Sequence, residues 1–256
     1  MTKTLLVTGA SKGIGYETVL RFLEHRPEYT KIIMLARSST TFTEHRAQLA
    51  ATAPAGVEII SYEIDLADRD AIIDLVRLIH AEHGNIEFLL NNAGYTKPVS
   101  IQQVDFADFE RTMAVNVYAP FTLVQELLRC GNKFELIINI ASTRAWQSEA
   151  NSEAYAAAKG GLVAFTHALA ISAGPKVRVN SISPGWIATD AWQAPSRRRT
   201  PKLSRRDHAQ HAVGRVGQPE DIGALAVFLL SDLAGFITGQ DHIVDGGMSR
   251  TMIYAD

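Results

Sequence analysis

Short apolar runs and helix-periodic stretches alternate along the whole chain. The apolar runs predict strands near Leu5–Thr8, Ile32–Ala36, Val57–Ile64, Ile86–Asn91, Leu136–Ala141, Val177–Ser183 and His242–Val244. Between them the spacing predicts helices near Ile14–His25, Thr43–Thr52, Arg69–His83, Phe106–Cys130, Ser152–Ala173 and Pro219–Ser231, with turn signals such as His83-Gly84 and Ala173-Gly-Pro175. Alternating strands and helices specify a parallel sheet, and right-handed crossovers arrange it as one doubly wound α/β sheet of about seven strands with helices on both faces. In such a sheet ligands bind beyond the C-terminal strand ends, beside the point where strand order reverses. No internal repeat or low-complexity tract interrupts the pattern.

Composition narrows the partners rather than the fold. At 256 residues, 46% hydrophobic and 20% charged, the chain supports one substantial core, so a single domain over 1–256 is expected. The 25 Lys and Arg against 27 Asp and Glu leave a formal charge of −2, which provides no global basic field for nucleic acid and directs attention to small molecules. A single cysteine, Cys130, excludes an intramolecular disulfide and fits a reducing compartment; it reads as a small residue at a helix end. The N-terminal apolar run is interrupted by Gly9 and is too short for a signal or membrane segment, so a cytoplasmic protein with no membrane partner is expected.

Two motifs carry the candidate chemistry. Thr4-Leu-Leu-Val-Thr-Gly-Ala-Ser-Lys-Gly-Ile-Gly15 reads as a buried strand, a glycine-rich turn and a helix start. Gly9, Gly13 and Gly15 let the backbone turn sharply and approach a pyrophosphate, which the unpaired N–H groups at the helix N-terminus attract. Further on, Tyr155 and Lys159 lie one turn apart on an Ala-rich helix, with Ser142 thirteen residues before the tyrosine at a strand end. A phenol with its ordinary pKa near ~10 transfers protons poorly at neutral pH. An ammonium about 4 Å away, at an effective dielectric of ~20, favours phenolate by roughly 4 kcal/mol before desolvation is subtracted. Lys159 is therefore expected to acidify Tyr155. His208 and His211 have a metal-compatible spacing but lack accompanying carboxylate or cysteine ligands, so no metal site is expected.

With Asn91-Asn-Ala-Gly94, Asn116, Ser183-Pro-Gly-Trp-Ile-Ala-Thr189 and Val244-Asp-Gly-Gly247 added in order, nearly the whole chain resembles a short-chain dehydrogenase/reductase. The resemblance implies a Rossmann-type fold and a hydride transfer between a nicotinamide cofactor and a carbonyl or alcohol. It also implies roles at matching positions. Tyr155 would be the general acid/base, Ser142 would position the substrate oxygen, Lys159 would tune the tyrosine and bind the nicotinamide ribose, and Asn116 would hold a water-linked proton relay. Gly9, Ser11, Lys12, Gly13, Ile14 and Gly15 would hold the pyrophosphate end. Asp65 and Leu66 would contact adenine, although an N-cap role for Asp65 is an equally good reading of the residues. Asn91, Ala93, Gly94, Pro184, Gly185, Ile187 and Thr189 would hold the ribose and nicotinamide.

The end of the second strand bears on cofactor choice. An acid that would bind a ribose 2′-hydroxyl is missing at Ala36, while Arg37, Ser38, Lys12 and Ser11 supply two cations and two hydroxyls, so NADP(H) is expected. The function implied is NADPH-dependent reduction of a ketone, aldehyde or 3-oxoacyl-type carbonyl. An NAD(P)+-dependent alcohol or sugar dehydrogenase using the same site is the alternative, and a non-catalytic dinucleotide sensor is disfavoured because Ser142, Tyr155 and Lys159 are all present. Tyr95, Arg144, Trp146, Gln147, Trp186 and Trp192 are expected to line the substrate side, with Arg144 pairing with Glu149 or Glu153 in preference to a substrate anion. The basic, poorly periodic stretch within 190–215 is expected to form a mobile lid whose arginines repel one another. Ala154, Ala156, Ala157, Ala158, Gly160 and Gly161 along the catalytic helix suggest close helix approach in a homodimer or homotetramer.

Overall fold

A computed structural model describes residues 3–252. Seven parallel strands, β1 (Lys3–Thr8), β2 (Tyr29–Ala36), β3 (Glu58–Glu63), β4 (Phe88–Asn91), β5 (Leu136–Ile140), β6 (Arg178–Pro184) and β7 (Asp241–Val244), form one sheet in the order β3-β2-β1-β4-β5-β6-β7. The order reverses between β1 and β4, which opens a crevice at their C-terminal ends. Side chains alternate through this sheet into two cores. Leu5 and Val7 of β1, Phe88 and Leu90 of β4, and Leu136 and Ile138 of β5 face one core, while Leu6, Leu89 and Ile137 face the other. Helices α1 (Gly13–His25) and α2 (Thr40–Thr52) cover the first face, with α8 (Pro219–Leu230). Helices α3 (Arg69–His83), α5 (Ala119–Arg129) and α6 (Glu153–Ala173) cover the second. Apolar area removed from water on both faces supplies the main driving force, and the central strands β1, β4 and β5 are buried along nearly their whole length.

The single helix expected over Phe106–Cys130 is instead three segments. α4 (Phe106–Met113) passes through a π-helical turn at Ala114–Tyr118 into α5. Here the Ala119 N–H donates to Ala114 O, five residues back. Two side chains account for the widening. Pro120 offers no N–H to the ladder. The Asn116 amide donates to Thr112 O at 2.8 Å, competing with the backbone for that carbonyl. The basic segment contains the short helix α7 (Arg205–Ala209), started by a capping box between Ser204 and Asp207. Cys130 does cap the end of α5, partly buried.

By length and composition alone α6 reaches what a membrane crossing needs, with a mean hydropathy of 1.2 over its best window. Its place in the fold gives that apolarity another explanation: Ala158, Leu162, Thr166 and Ala170 are buried, and Asn139 on β5 donates to Thr166 Oγ1 at 2.9 Å.

Candidate active site

The crevice between β1 and β4 continues as a cleft of about 550 Å³. Gly9, Ser11, Lys12, Gly13 and Ile14 line it from the first turn, Arg37 and Ser38 from the end of β2, and Asp65 and Leu66 from beyond β3. Ala93, Gly94 and Thr189 line its other end. Residues spread over 180 positions of sequence are thus brought to one surface. The turn itself requires glycine. A Cβ on Gly9, whose φ is +65°, would lie 2.8 Å from the Ala93 Cα, and one on Gly15 would lie 2.6 Å from the Gly9 carbonyl.

Asn92 holds these two loops together, a role that its motif does not announce. Its amide donates to Thr8 O at 3.0 Å and Gly9 O at 3.1 Å, while Thr8 Oγ1 accepts from both Asn92 and Ala93 N–H at 3.0 Å. Asn91 serves the sheet instead: it is buried and donates to Asn139 Oδ1 at 2.8 Å, tying β4 to β5. Pro184, Gly185 and Ile187 likewise lie outside the cleft lining. Gly185 N–H donates to Val244 O at 3.0 Å and Ile187 bridges to Gly217, which together deliver Thr189 to the cleft.

Asp65 is not the N-cap of α3; Asp68 is, accepting from Ala71 N–H at 3.0 Å. Asp65 instead accepts from Arg111 Nη2 at 2.7 Å and from Ala67 N–H at 3.0 Å. Burial opposes its negative charge, but the Arg111 hydrogen bond, the Ala67 N–H and the charges of Arg111 and Arg37 hold the carboxyl below its usual pKa. Arg111 also lies 5.3 Å from the centroid of the Tyr95 ring. Arg111, Gln193 and Arg197 all line the cleft, and none has a motif that announces it.

The four expected catalytic side chains converge from three elements. Ser142 follows β5 and accepts from Arg144 N–H at 3.1 Å. Tyr155 is in the first turn of α6, with Lys159 one turn later and its Nζ 5.5 Å from the tyrosine ring centroid. Lys159 Nζ donates to Ile140 O at 2.8 Å. Asn116 donates to Tyr95 O at 2.7 Å from within the π turn. A Cβ on Gly94 would stand 3.3 Å from Asn116 Oδ1 and 3.9 Å from Lys159 Nζ, so this glycine keeps space open between the two.

The expected acidification of Tyr155 by Lys159 is corrected by this arrangement. Burial pushes the phenol above its ordinary value, and only the Ser142 hydrogen bond and the Arg144 charge oppose it. Burial pushes Lys159 down to about 7, so near neutral pH it is only partly charged. Lys159 is accordingly not among the groups that lower the phenol.

Several substrate-side expectations also change. Trp192 packs against the core, and its indole N–H donates to Glu17 Oε2 at 2.9 Å, away from any substrate wall. Trp146 donates to Asp241 Oδ2 at 2.8 Å, and Arg144 forms the expected ion pair with Glu149. The basic segment is anchored rather than splayed. Ser196 donates to Glu44 through both N–H and Oγ, and Arg198 donates to Gln48 Oε1 and Gln193 O. Beneath Arg198, His45 is buried, stacked on Tyr16 at 3.8 Å, and hydrogen-bonded through Nδ1 to Ser11 O at 2.8 Å. Of the arginines in this stretch, Arg198 is the one whose guanidinium is tied to α2 among the described residues. His208 and His211 bond to Val216 N–H and Asp207 O, and the described residues contain no cluster of three metal ligands.

A family profile described as Enoyl-(Acyl carrier protein) reductase matches residues 9–249. The chain belongs to the short-chain dehydrogenase/reductase family. It is 40% identical, over 99% of its own length and 98% of the relative's, to an uncharacterized oxidoreductase of Thermotoga maritima. It is 31% identical, over 96% and 97%, to the 3-oxoacyl-[acyl-carrier-protein] reductase FabG of Chlamydia pneumoniae. An apo SCOR enzyme from Clostridium thermocellum superposes with a TM-score of 0.84 at 36% identity, over 99% of this chain and 96% of that one. Two further solved structures, both 29% identical, carry the cofactors NADH (TM-score 0.81, 98% and 100% covered) and NADPH (TM-score 0.82, 96% and 98% covered). This short-chain dehydrogenase/reductase is therefore an NAD(P)(H)-dependent oxidoreductase.

Proposed function

We propose that the protein is an NADPH-dependent reductase of a ketone, aldehyde or 3-oxoacyl-type carbonyl. The observation that carries the cofactor choice is the charge at the β2 end of the cleft. Arg37 and Lys12 both line it, and among the described residues neither has an ion-pair partner. Asp65, the lone acid of the lining, is engaged by Arg111. A 2′-phosphate, carrying roughly −1.5 to −2 charges at neutral pH, finds two cations and the Ser11 and Ser38 hydroxyls there, whereas a bare ribose finds no free carboxylate. The glycine turn, which a Cβ would fill, suits a pyrophosphate. When bound, the nicotinamide supplies the hydride.

The chain's own residues then divide the remaining work. Ser142 holds the carbonyl oxygen beside the Tyr155 phenol, and the phenol, kept protonated by burial, donates its proton to that oxygen as negative charge develops. Lys159, with a pKa near neutrality, is suited to pass a proton to the tyrosine and to hold ribose hydroxyls. Asn116 fixes the loop at Tyr95 and faces the space beside Lys159, consistent with a relay position.

The test is a cofactor exchange. Wild type is expected to prefer NADPH, and Ala36→Asp with Arg37→Ala is expected to move the NADPH/NADH ratio of kcat/KM towards NADH by about tenfold or more, the loss of a charge-assisted contact. A wild type that uses NADH at least as well contradicts the assignment.

We further propose that two copies pair through α5 and α6. Tyr118, Phe121 and Leu128 are exposed apolar side chains, and a Cβ on Gly160 would meet nothing within 4 Å, so this surface offers close approach without a partner inside the subunit. Light scattering at micromolar concentration is expected to report a dimer or tetramer; a monomer rejects the interface.

A further inference from the structure

A second cleft, of about 720 Å³, lies between Trp186–Asp190 and the basic stretch 199–203. This is within the roughly 300–1,000 Å³ typical of small-molecule sites. The extended chain after β6 forms a shared wall. Thr189 lines the dinucleotide cleft, whereas Trp186, Ala188 and Asp190 line the second, so a single strand of backbone separates the two.

The facing wall carries Arg199, Lys202 and Leu203. Arg199 N–H donates to Asp190 O at 3.2 Å, which closes the stretch against the shared wall. Neither cation has a side-chain partner among the described residues, in contrast to Arg198, which is tied to α2. The lining thus has two cations against one carboxylate, Asp190. Trp186 gives the cleft an aromatic surface, and its ring is backed by His211 at 6.3 Å. His211 is itself buried and hydrogen-bonded through Nδ1 to Asp207 O, while Trp186 keeps an exposed face. Two cations in excess of one carboxylate, facing an aromatic side chain, match an anion carried on an apolar or planar framework.

We propose that this second cleft is the anion-recognising half of the substrate site, holding a carboxylate or phosphate of the substrate between Arg199 and Lys202 and its framework against Trp186 and Leu203. The proposal rests on the carbonyl-reductase reading for the reacting half of the substrate only. It identifies the substrate as an anionic carbonyl compound, and it assigns the basic stretch a specificity role.

Two matched pairs test it, each differing in the anionic handle: phenylglyoxylate against its methyl ester, and acetoacetyl-coenzyme A against acetoacetyl-N-acetylcysteamine. Wild type is expected to favour the charged member of at least one pair by about tenfold or more in kcat/KM at low salt. The first pair reports a carboxylate and the second a phosphate-bearing handle. In the Arg199→Ala/Lys202→Ala variant that ratio is expected to fall towards one. No charge preference in either pair, or a preference that survives in the variant, overturns the proposal. A separate arm does not depend on turnover: quenching of intrinsic tryptophan fluorescence by phenylglyoxylate and by coenzyme A, in wild type, the double variant and Trp186→Phe. Saturable binding that weakens about tenfold or more in the double variant, with none of the four carbonyl compounds reduced, would retire the reductase reading and keep the subsite. Turnover of the carbonyl compounds with no charge discrimination would do the reverse, and absence of both binding and discrimination removes the subsite.

Discussion

Tyr155→Phe is expected to lower turnover by about 10²-fold or more while leaving NADPH affinity close to wild type. The substitution removes one oxygen and almost no volume, so the first turn of α6 keeps its packing. What is lost is the group that Ser142 addresses and that burial keeps protonated. Because the phenol is held above its ordinary value, it acts as a donor over the whole neutral range, and wild-type reduction should not lose rate through phenol ionisation below about pH 10. Cofactor titration by fluorescence separates binding from chemistry. Turnover that persists in the variant would mean that another group protonates the carbonyl oxygen.

Lys159→Met should separate activity from stability. Lys159 is buried with one hydrogen bond, to Ile140 O, and its pKa is driven by desolvation alone to about 7. Between that value and the ordinary lysine range the unfolded chain binds more protons than the folded one, so stability rises with pH across this window. Below it, the folded state carries the full cost of an unpaired buried cation. Methionine removes that cost with similar volume. The variant is therefore expected to gain on the order of 1–4 kcal/mol at or below neutral pH, with the gain vanishing towards pH 10, while its turnover drops by about 10²-fold or more and NADPH binds more weakly. Calorimetry across the pH range checks this. A variant no more stable than wild type at pH 7, or one retaining the same pH slope, would show that the ammonium is better solvated than its surroundings indicate.

Much of the site was legible because its parts are local. The glycine turn and the residues following β2 and β3 sit within a few positions of a strand end, where turn chemistry is strongest, and Tyr155 and Lys159 are one helical turn apart at the start of α6. The parts that escaped are pairings across distance. Arg111 reaches Asp65 over 46 positions, and Trp192 reaches Glu17 over 175, and no local pattern encodes either partner. Asn92 was visible within its motif, but its clamp on Thr8 and Gly9 depends on β1 and β4 being neighbours. The pKa of Lys159 depends on burial depth, which the helix spacing could not express. The basic stretch has anchors that its composition does not announce: Ser196 and Arg198 both bond to α2, through Glu44 and Gln48, and Arg199 N–H bonds to Asp190 O.

The π turn at Ala114–Tyr118 amounts to a phase shifter between two amphipathic helices. Successive residues of an α-helix advance by about 100°, so one additional residue per turn rotates everything downstream by that angle. This rotation lets Asn116 reach back to Tyr95 while, a few residues later, Leu123 and Leu127 meet the core on the α3 side. An uninterrupted helix with the same composition would satisfy one of these demands at the expense of the other. The helix therefore serves a polar loop and an apolar core in succession, and the irregularity is the means by which it changes alignment between them.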